Sequence, residues 1–269
     1  MRPLWYSVLL VIAAASQPTS AWAEPYAPYI NVAWNNCLGV GNAAQDVSFA
    51  CDGSRHGQPF RGVISFIAPA TCDSFVGVQM TIDLTADGTF PDPSVLPDWW
   101  HLGYGECRYY ERTFHTNANF TYPASLAGVG DATCLNPWAD ANRTGGGYDY
   151  TSGTSRARIR FAFARDTPTH LDEGKHYIAG VFEMDTWQDV DIGDGYGVCA
   201  GCAQAACLVV SEVGVYQVVG TPPQDAFILN AAATRNFISW QGGDIGGHGC
   251  PAALPVRRAT WGSIKSMYR

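Results

Sequence analysis

From residue 24 onward, apolar and polar residues alternate with a period of two over short stretches. Over 76–84, Val76, Val78, Met80, Ile82 and Leu84 share one face; over 158–163, Ile159, Phe161 and Phe163 oppose Arg158 and Arg160. A period of two predicts strands with one face buried and one wet, the pattern of antiparallel sheets. The same pattern marks 29–34, 47–51, 61–67, 108–114, 176–184 and 208–219 as strands. Turn clusters separate them at Ala86-Asp-Gly-Thr, Thr144-Gly-Gly-Gly, Asp172-Glu-Gly-Lys and Gly220-Thr-Pro-Pro. Many short strands with Gly and Pro punctuation predict an all-β chain: an antiparallel β-sandwich or jelly roll. Only 259–269 reads as a helix, with Trp261, Ile264, Met267 and Tyr268 at three-to-four spacing, although Gly262 weakens it. A glycine-rich hinge, 242–249, precedes it.

The first residues change the picture of where the chain works. A single Arg2, an apolar run over 4–15 and the small-x-small end Ala21-Trp22-Ala23 predict a secretory signal peptide over 1–23. The run is shorter than the roughly 18–20 residues a spanning helix needs, so no transmembrane segment is expected after cleavage. The expected organisation is a signal peptide over 1–23, a β-sandwich domain over 24–238, and a hinge with a C-terminal segment over 239–269. Removing Arg2 takes the formal charge from −8 to −9. An acidic surface argues against nucleic acid as a partner. Charged residues at 15% with 29 glycines suit a turn-rich extracellular β protein better than a helical bundle.

The nine cysteines, 37, 51, 72, 107, 134, 199, 202, 207 and 250, all follow the signal. In an exported chain they read first as disulfides, and an odd count leaves one over. Cys37 with Cys51, and Cys107 with Cys134, flank loops between predicted strands, so neighbour pairing is the expectation for both. Cys199, Cys202, Cys207 and Cys250 remain as a group of open pairing, with Cys72 as the candidate free thiol. The stretch Val198-Cys-Ala-Gly-Cys-Ala-Gln-Ala-Ala-Cys207 invites other readings. Haem attachment fails because Ala203 stands where His is required. A thioredoxin-like pair needs a helix start, whereas a strand follows Cys207. Zinc on Cys199, Cys202, His248 and Cys250 has suitable ligand types, but an oxidising compartment competes for the thiols.

Other constellations are weaker. Asp189, Asp191 and Asp194 lie on a glycine-bearing loop beside Asp185 and could hold calcium, although the EF-hand pattern does not match and a solvated acidic turn is the plainer reading. Trp99 and Trp100 could stack on sugar rings or plug the core. Adjacent on a strand, only one of them would face a single core. His170, Asp172, Glu173 and His176 read as polar connectors of a hairpin. Gly153-Thr-Ser155-Arg-Ala157 lacks the second glycine of a nucleophile elbow and runs into a strand rather than a helix.

As a set, Ala33-Trp-Asn-Asn-Cys37, Leu96-Pro-Asp-Trp-Trp100, Cys199-Ala-Gly-Cys202 with Cys207, and Trp261-Gly-Ser-Ile-Lys-Ser-Met-Tyr-Arg269 resemble a group of secreted bacterial proteins over nearly the whole mature chain. The resemblance implies a bacterial exported protein whose paired cysteines are framework; it brings no activity, ligand or catalytic residue. Cys72 departs from that group's pattern, which fits an unpaired thiol. The expectation from sequence is therefore a non-catalytic secreted structural, surface or binding protein. The alternatives are a carbohydrate-binding module or carbohydrate-active enzyme using Trp99 and Trp100, and a calcium-dependent adhesion module. An extracellular partner or carbohydrate is the expected ligand class.

Overall fold

A computed structural model describes residues 30–86, 96–108, 129–141, 144–153, 156–191, 193, 195, 197–221, 226–230 and 236–243. Among these the chain is all-β. The strands are β1 (Ile30–Trp34), β2 (Asp46–Val47), β3 (Phe60–Ile67), β4 (Cys72–Ala86), β5 (Thr144–Ser152), β6 (Arg156–Leu171), β7 (His176–Met184), β8 (Ala206–Gln217), β9 (Ala226–Asn230) and β10 (Phe237–Trp240). Asp98–Trp100 forms one turn of 3₁₀-helix. The expected helix over 259–269 and the signal peptide lie outside the described residues.

Two sheets form. The smaller has the order β1-β3-β7; the larger has the order β2-β10-β8-β4-β6-β5, with β9 also paired to β8. All pairs are antiparallel except β2 with β10. The alternation in β4 and β6 turns Met80, Ile82, Leu84, Ile159 and Phe161 into one core. Across the sandwich, Phe161 of β6 stacks on Phe182 of β7 at 6.2 Å, and Trp34 of β1 meets Trp240 of β10 at 6.0 Å. The Trp34 indole N–H donates to the Ser239 carbonyl at 2.8 Å, so a polar bond locks the two sheets where large rings dominate.

Three expectations need correction. Thr144-Gly-Gly-Gly is no turn but the start of edge strand β5. A Cβ on Gly146 would lie 2.4 Å from Phe163 Cδ1 and 2.7 Å from the Ala162 carbonyl, so glycine allows the close approach to β6. The boundary drawn at 238/239 cuts through β10: Ser239 and Trp240 are fully buried and belong to the sandwich, not to a hinge. Finally, β8 has no wet face, because its residues are buried along almost the whole strand.

Gly62 in β3 illustrates how tightly the sheets are packed. A Cβ there would fall 2.1 Å from Phe182 Cζ, and that ring is itself buried. Gly62→Ala is expected to destabilise the protein by about 1–3 kcal/mol through overpacking, measured as a lower denaturant midpoint with unchanged m-value.

A candidate functional site at the disulfide-pinned corner

The disulfides decide which loops meet. Cys37 pairs with Cys134, Cys51 with Cys202 and Cys107 with Cys199, spanning 97, 151 and 92 residues. The expected neighbour pairs 37–51 and 107–134 are therefore wrong. Loop proximity in sequence suggested them, but strand crossovers bring distant loops to the same end of the sandwich. Cys207 is also in a disulfide, with a partner outside the described residues, where Cys250 lies. Because Cys199 and Cys202 are oxidised, neither offers the thiolate that zinc would need. The run 198–207 thus ties the loop before β8 to two other loops.

Between those ties lies a corner built from the 51–58 loop and residues 185–191. Asp189 points inward with its side chain fully buried. Its Oδ1 accepts a hydrogen bond from His56 Nε2 at 2.7 Å, and its Oδ2 accepts one from the Gly53 amide at 3.1 Å. Gly53 has φ +80°, and a Cβ there would press within 2.9 Å of Val190, so the amide reaches Asp189 only because the residue is glycine. The His56 ring stacks on Trp187 with centroids 5.2 Å apart and planes 23° apart. Trp187 remains 38% exposed. Beside it, the Arg55 guanidinium covers the Phe60 ring at 4.2 Å. Since an ionised carboxylate only accepts, Nε2 is the donor in this bond, and Asp189 fixes the orientation of the His56 ring. The corner combines a flat, partly exposed aromatic pair with an oriented imidazole. It can stack on a ring and exchange hydrogen bonds with its substituents.

The residues expected to bind ligand are placed differently. Trp99 and Trp100 both have no solvent exposure, which corrects their assignment as a sugar-stacking platform. Consecutive residues of a strand face opposite ways, but this pair sits on a 3₁₀ turn, where both rings reach the core. Both rings pack against Trp240. The Arg108 guanidinium lies 3.7 Å over Trp99 and donates to the Asp185 carbonyl at 2.6 Å. Of the calcium candidates, Asp189 has both oxygens engaged inside. Asp191 is exposed and accepts from the Gly193 amide of its own turn at 2.8 Å; Asp194 lies outside the described residues. Among the described residues no three carboxylate, imidazole or thiol groups converge as a metal centre. His170 bridges Asp73 and Asp172 on the surface, and His176 bonds Ser65 Oγ at 2.8 Å, as connectors do. Ser155 lies outside the described residues.

His56 and Trp187 escaped sequence reading because His56 and Asp189 are 133 residues apart. The one local signal was Asp189 beside Trp187 on a loop bounded by cysteines. No protein-family model, no curated protein and no solved structure matches the chain.

Among the described residues Cys72 is the free cysteine, and it is fully buried. Burial pushes its thiol up to about 11, with the Asp73 charge adding to the effect. Between about pH 9 and 11 the folded chain keeps this proton while the unfolded chain loses it. The contribution is therefore present below pH 9 and lost as pH rises through 11. The native protein is expected to give no reaction with a thiol-specific reagent at pH 8, and one thiol per chain after denaturation without reductant.

Proposed function

We propose that this chain is an exported bacterial protein without catalytic activity, a structural, surface or binding component that presents the Trp187–His56 corner as its recognition face. The observation that carries the reading is the pinning of that corner. Two disulfides, Cys51–Cys202 and Cys107–Cys199, fix the loops on either side of a partly exposed Trp187, so a ligand meets a preformed surface. Export is supported by the signal-like leader and by the disulfides, which persist in oxidising compartments such as the extracellular space or periplasm. No helix among the described residues is long and apolar enough to cross a membrane.

A carbohydrate ligand is the second reading, favoured by the exposed ring of Trp187 rather than by Trp99 or Trp100. The calcium-dependent adhesion reading loses the support of Asp189, whose oxygens are already engaged. The test is co-sedimentation of the purified mature protein with cellulose, chitin and peptidoglycan, alongside an assay for released reducing ends. Binding lost in Trp187→Ala, with no reducing ends released, is the expected result for a carbohydrate ligand. Release of reducing ends that disappears in His56→Ala would make the chain an enzyme instead.

A further inference from the structure

Most edges of the two sheets are short or covered. β2 has two residues and β9 five. Every residue of β1 is buried, and the outer side of β7 is bridged by Leu135, whose amide donates to the His176 carbonyl at 2.8 Å. β5 differs. Its nine residues, Thr-Gly-Gly-Gly-Tyr-Asp-Tyr-Thr-Ser, pair with β6 on one side and, among the described residues, with no strand on the other. None of the nine is buried. Among the described residues, Gly145, Gly146, Gly147, Asp149 and Thr151 make no backbone hydrogen bond outside the β6 ladder. A row of unpaired amides and carbonyls is a template for another strand. The devices that blunt such an edge are missing from this strand: it has no proline, no lysine and no bulge in its register with β6.

The residue order says which strand fits. A Cβ on Gly145 or Gly147 would meet nothing within 4 Å, so the outward face of β5 is open there. On the inward face the Phe163 ring lies over Gly146, and Tyr148 sits 6.5 Å from Phe161. Run antiparallel against itself about Tyr148, the strand sets Gly147 opposite Asp149, Gly146 opposite Tyr150 and Gly145 opposite Thr151. The members of each pair point to the same face of the sheet. Every glycine therefore meets a side chain that fills the space it leaves. The one charge of the strand opposes Gly147 rather than its own copy, and Arg160 stands 3.6 Å from it. Like charges are thus not placed directly opposite each other.

We propose that β5 is a homodimer interface: two copies of this chain join edge to edge, antiparallel about Tyr148, so that their larger sheets become one. The pairing is twofold and uses the same strand from both chains, so it closes at two copies. It rests on β5 alone and is independent of the recognition role given to Trp187.

Sedimentation velocity of the purified protein from about 1 µM to about 1 mM tests the pairing over the range of weak contacts. Expected are a reversible monomer–dimer equilibrium without larger species and slower amide exchange over 145–151 at the upper end. Substitutions at the open glycines test the register; neither residue has a positive φ, so the monomer tolerates a side chain there. Gly147→Asp sets carboxylates against each other twice per dimer and is expected to raise the dimer Kd about tenfold, whereas Gly147→Lys faces Asp149 and lowers it. Gly145→Asp and Gly145→Lys face Thr151 and control for net charge, with smaller changes expected. A chain that stays monomeric throughout would overturn the proposal, leaving this edge to an extended segment of another protein. Assembly beyond two copies, or equal effects at 145 and 147, would overturn it as well. The wild-type titration needs no variant, so it decides even where a substitution impairs folding.

Discussion

Trp240→Ala is expected to lower stability by about 3–5 kcal/mol, the range for a large buried aromatic, read from urea midpoints of the purified protein. The ring is fully buried near the end of the sandwich. Its centroid lies 4.8 Å from Phe49, 5.4 Å from Phe60, 5.5 Å from Trp100, 5.9 Å from Trp99 and 6.0 Å from Trp34. Its N–H donates to the Cys202 carbonyl at 2.8 Å, which joins the core to the cysteine loop. Removing it opens a cavity that five stiff rings cannot close, and it leaves the carbonyl unpaired. With total stabilities of about 5–15 kcal/mol, the loss is a large share of the whole. Trp240→Phe keeps most of the ring contacts and is expected to cost less, about 1–2 kcal/mol, chiefly the hydrogen bond. Equal costs for the two variants would show that the ring contacts contribute little.

The second large effect is expected from the double variant Cys51→Ser/Cys202→Ser. Its bridge spans 151 residues, the longest of the three. Cross-links that close long loops restrict the unfolded chain most, and loss of a native bridge typically costs about 2–5 kcal/mol. For a chain of this size that corresponds to a fall in Tm on the order of 10 °C. The same change frees the 51–58 loop, so the His56–Trp187 stack should loosen and the Trp187 emission shift red. A double variant with unchanged Tm and unchanged emission would show that the corner is held by packing and by Asp189 alone. Cys72→Ala is the useful control: it removes a thiol without opening a bridge, and it should leave the Trp187 emission unchanged.

The two variants probe different links of the same construction. Trp240 sits where the sheets meet, and Cys202 sits on the loop that Trp240 holds by its carbonyl. The proposed recognition corner is thus tied to the core through Cys202, whose carbonyl accepts from Trp240. This is the reason to expect a ligand to meet Trp187 and His56 in place, with little ordering cost on binding.

Much of the fold was legible because strands advertise themselves through alternation. Residues 30–34, 61–67, 76–84, 158–163, 176–184 and 208–217 fall in strands where the pattern predicted them. The strands that went unread have reasons too. Gly145-Gly-Gly147 opens β5, and glycine signals a turn locally, whereas the packing of Gly146 on Phe163 makes it a strand. Phe237–Trp240 is four residues long and followed by glycines, so its burial comes from the rings it meets rather than from its own period. The candidate site was the least legible part. Asp189 could be seen as a loop carboxylate, but its partners His56 and Gly53 lie in a loop more than 130 residues away.

What the sequence by itself determined was the class of the chain. Period-two alternation, glycine and proline punctuation and an odd number of cysteines in excess of any metal motif all follow from local chemistry, which reads the same in any fold. What only the tertiary structure decided was who meets whom: Cys51 with Cys202, His56 with Asp189 and Trp187, and Trp99 beside Trp100 inside one core. These contacts arise from strand order and crossover. Burial and covalent bonding reward proximity in space, and the chain carries no local record of which distant loop will arrive at the same end of the sandwich.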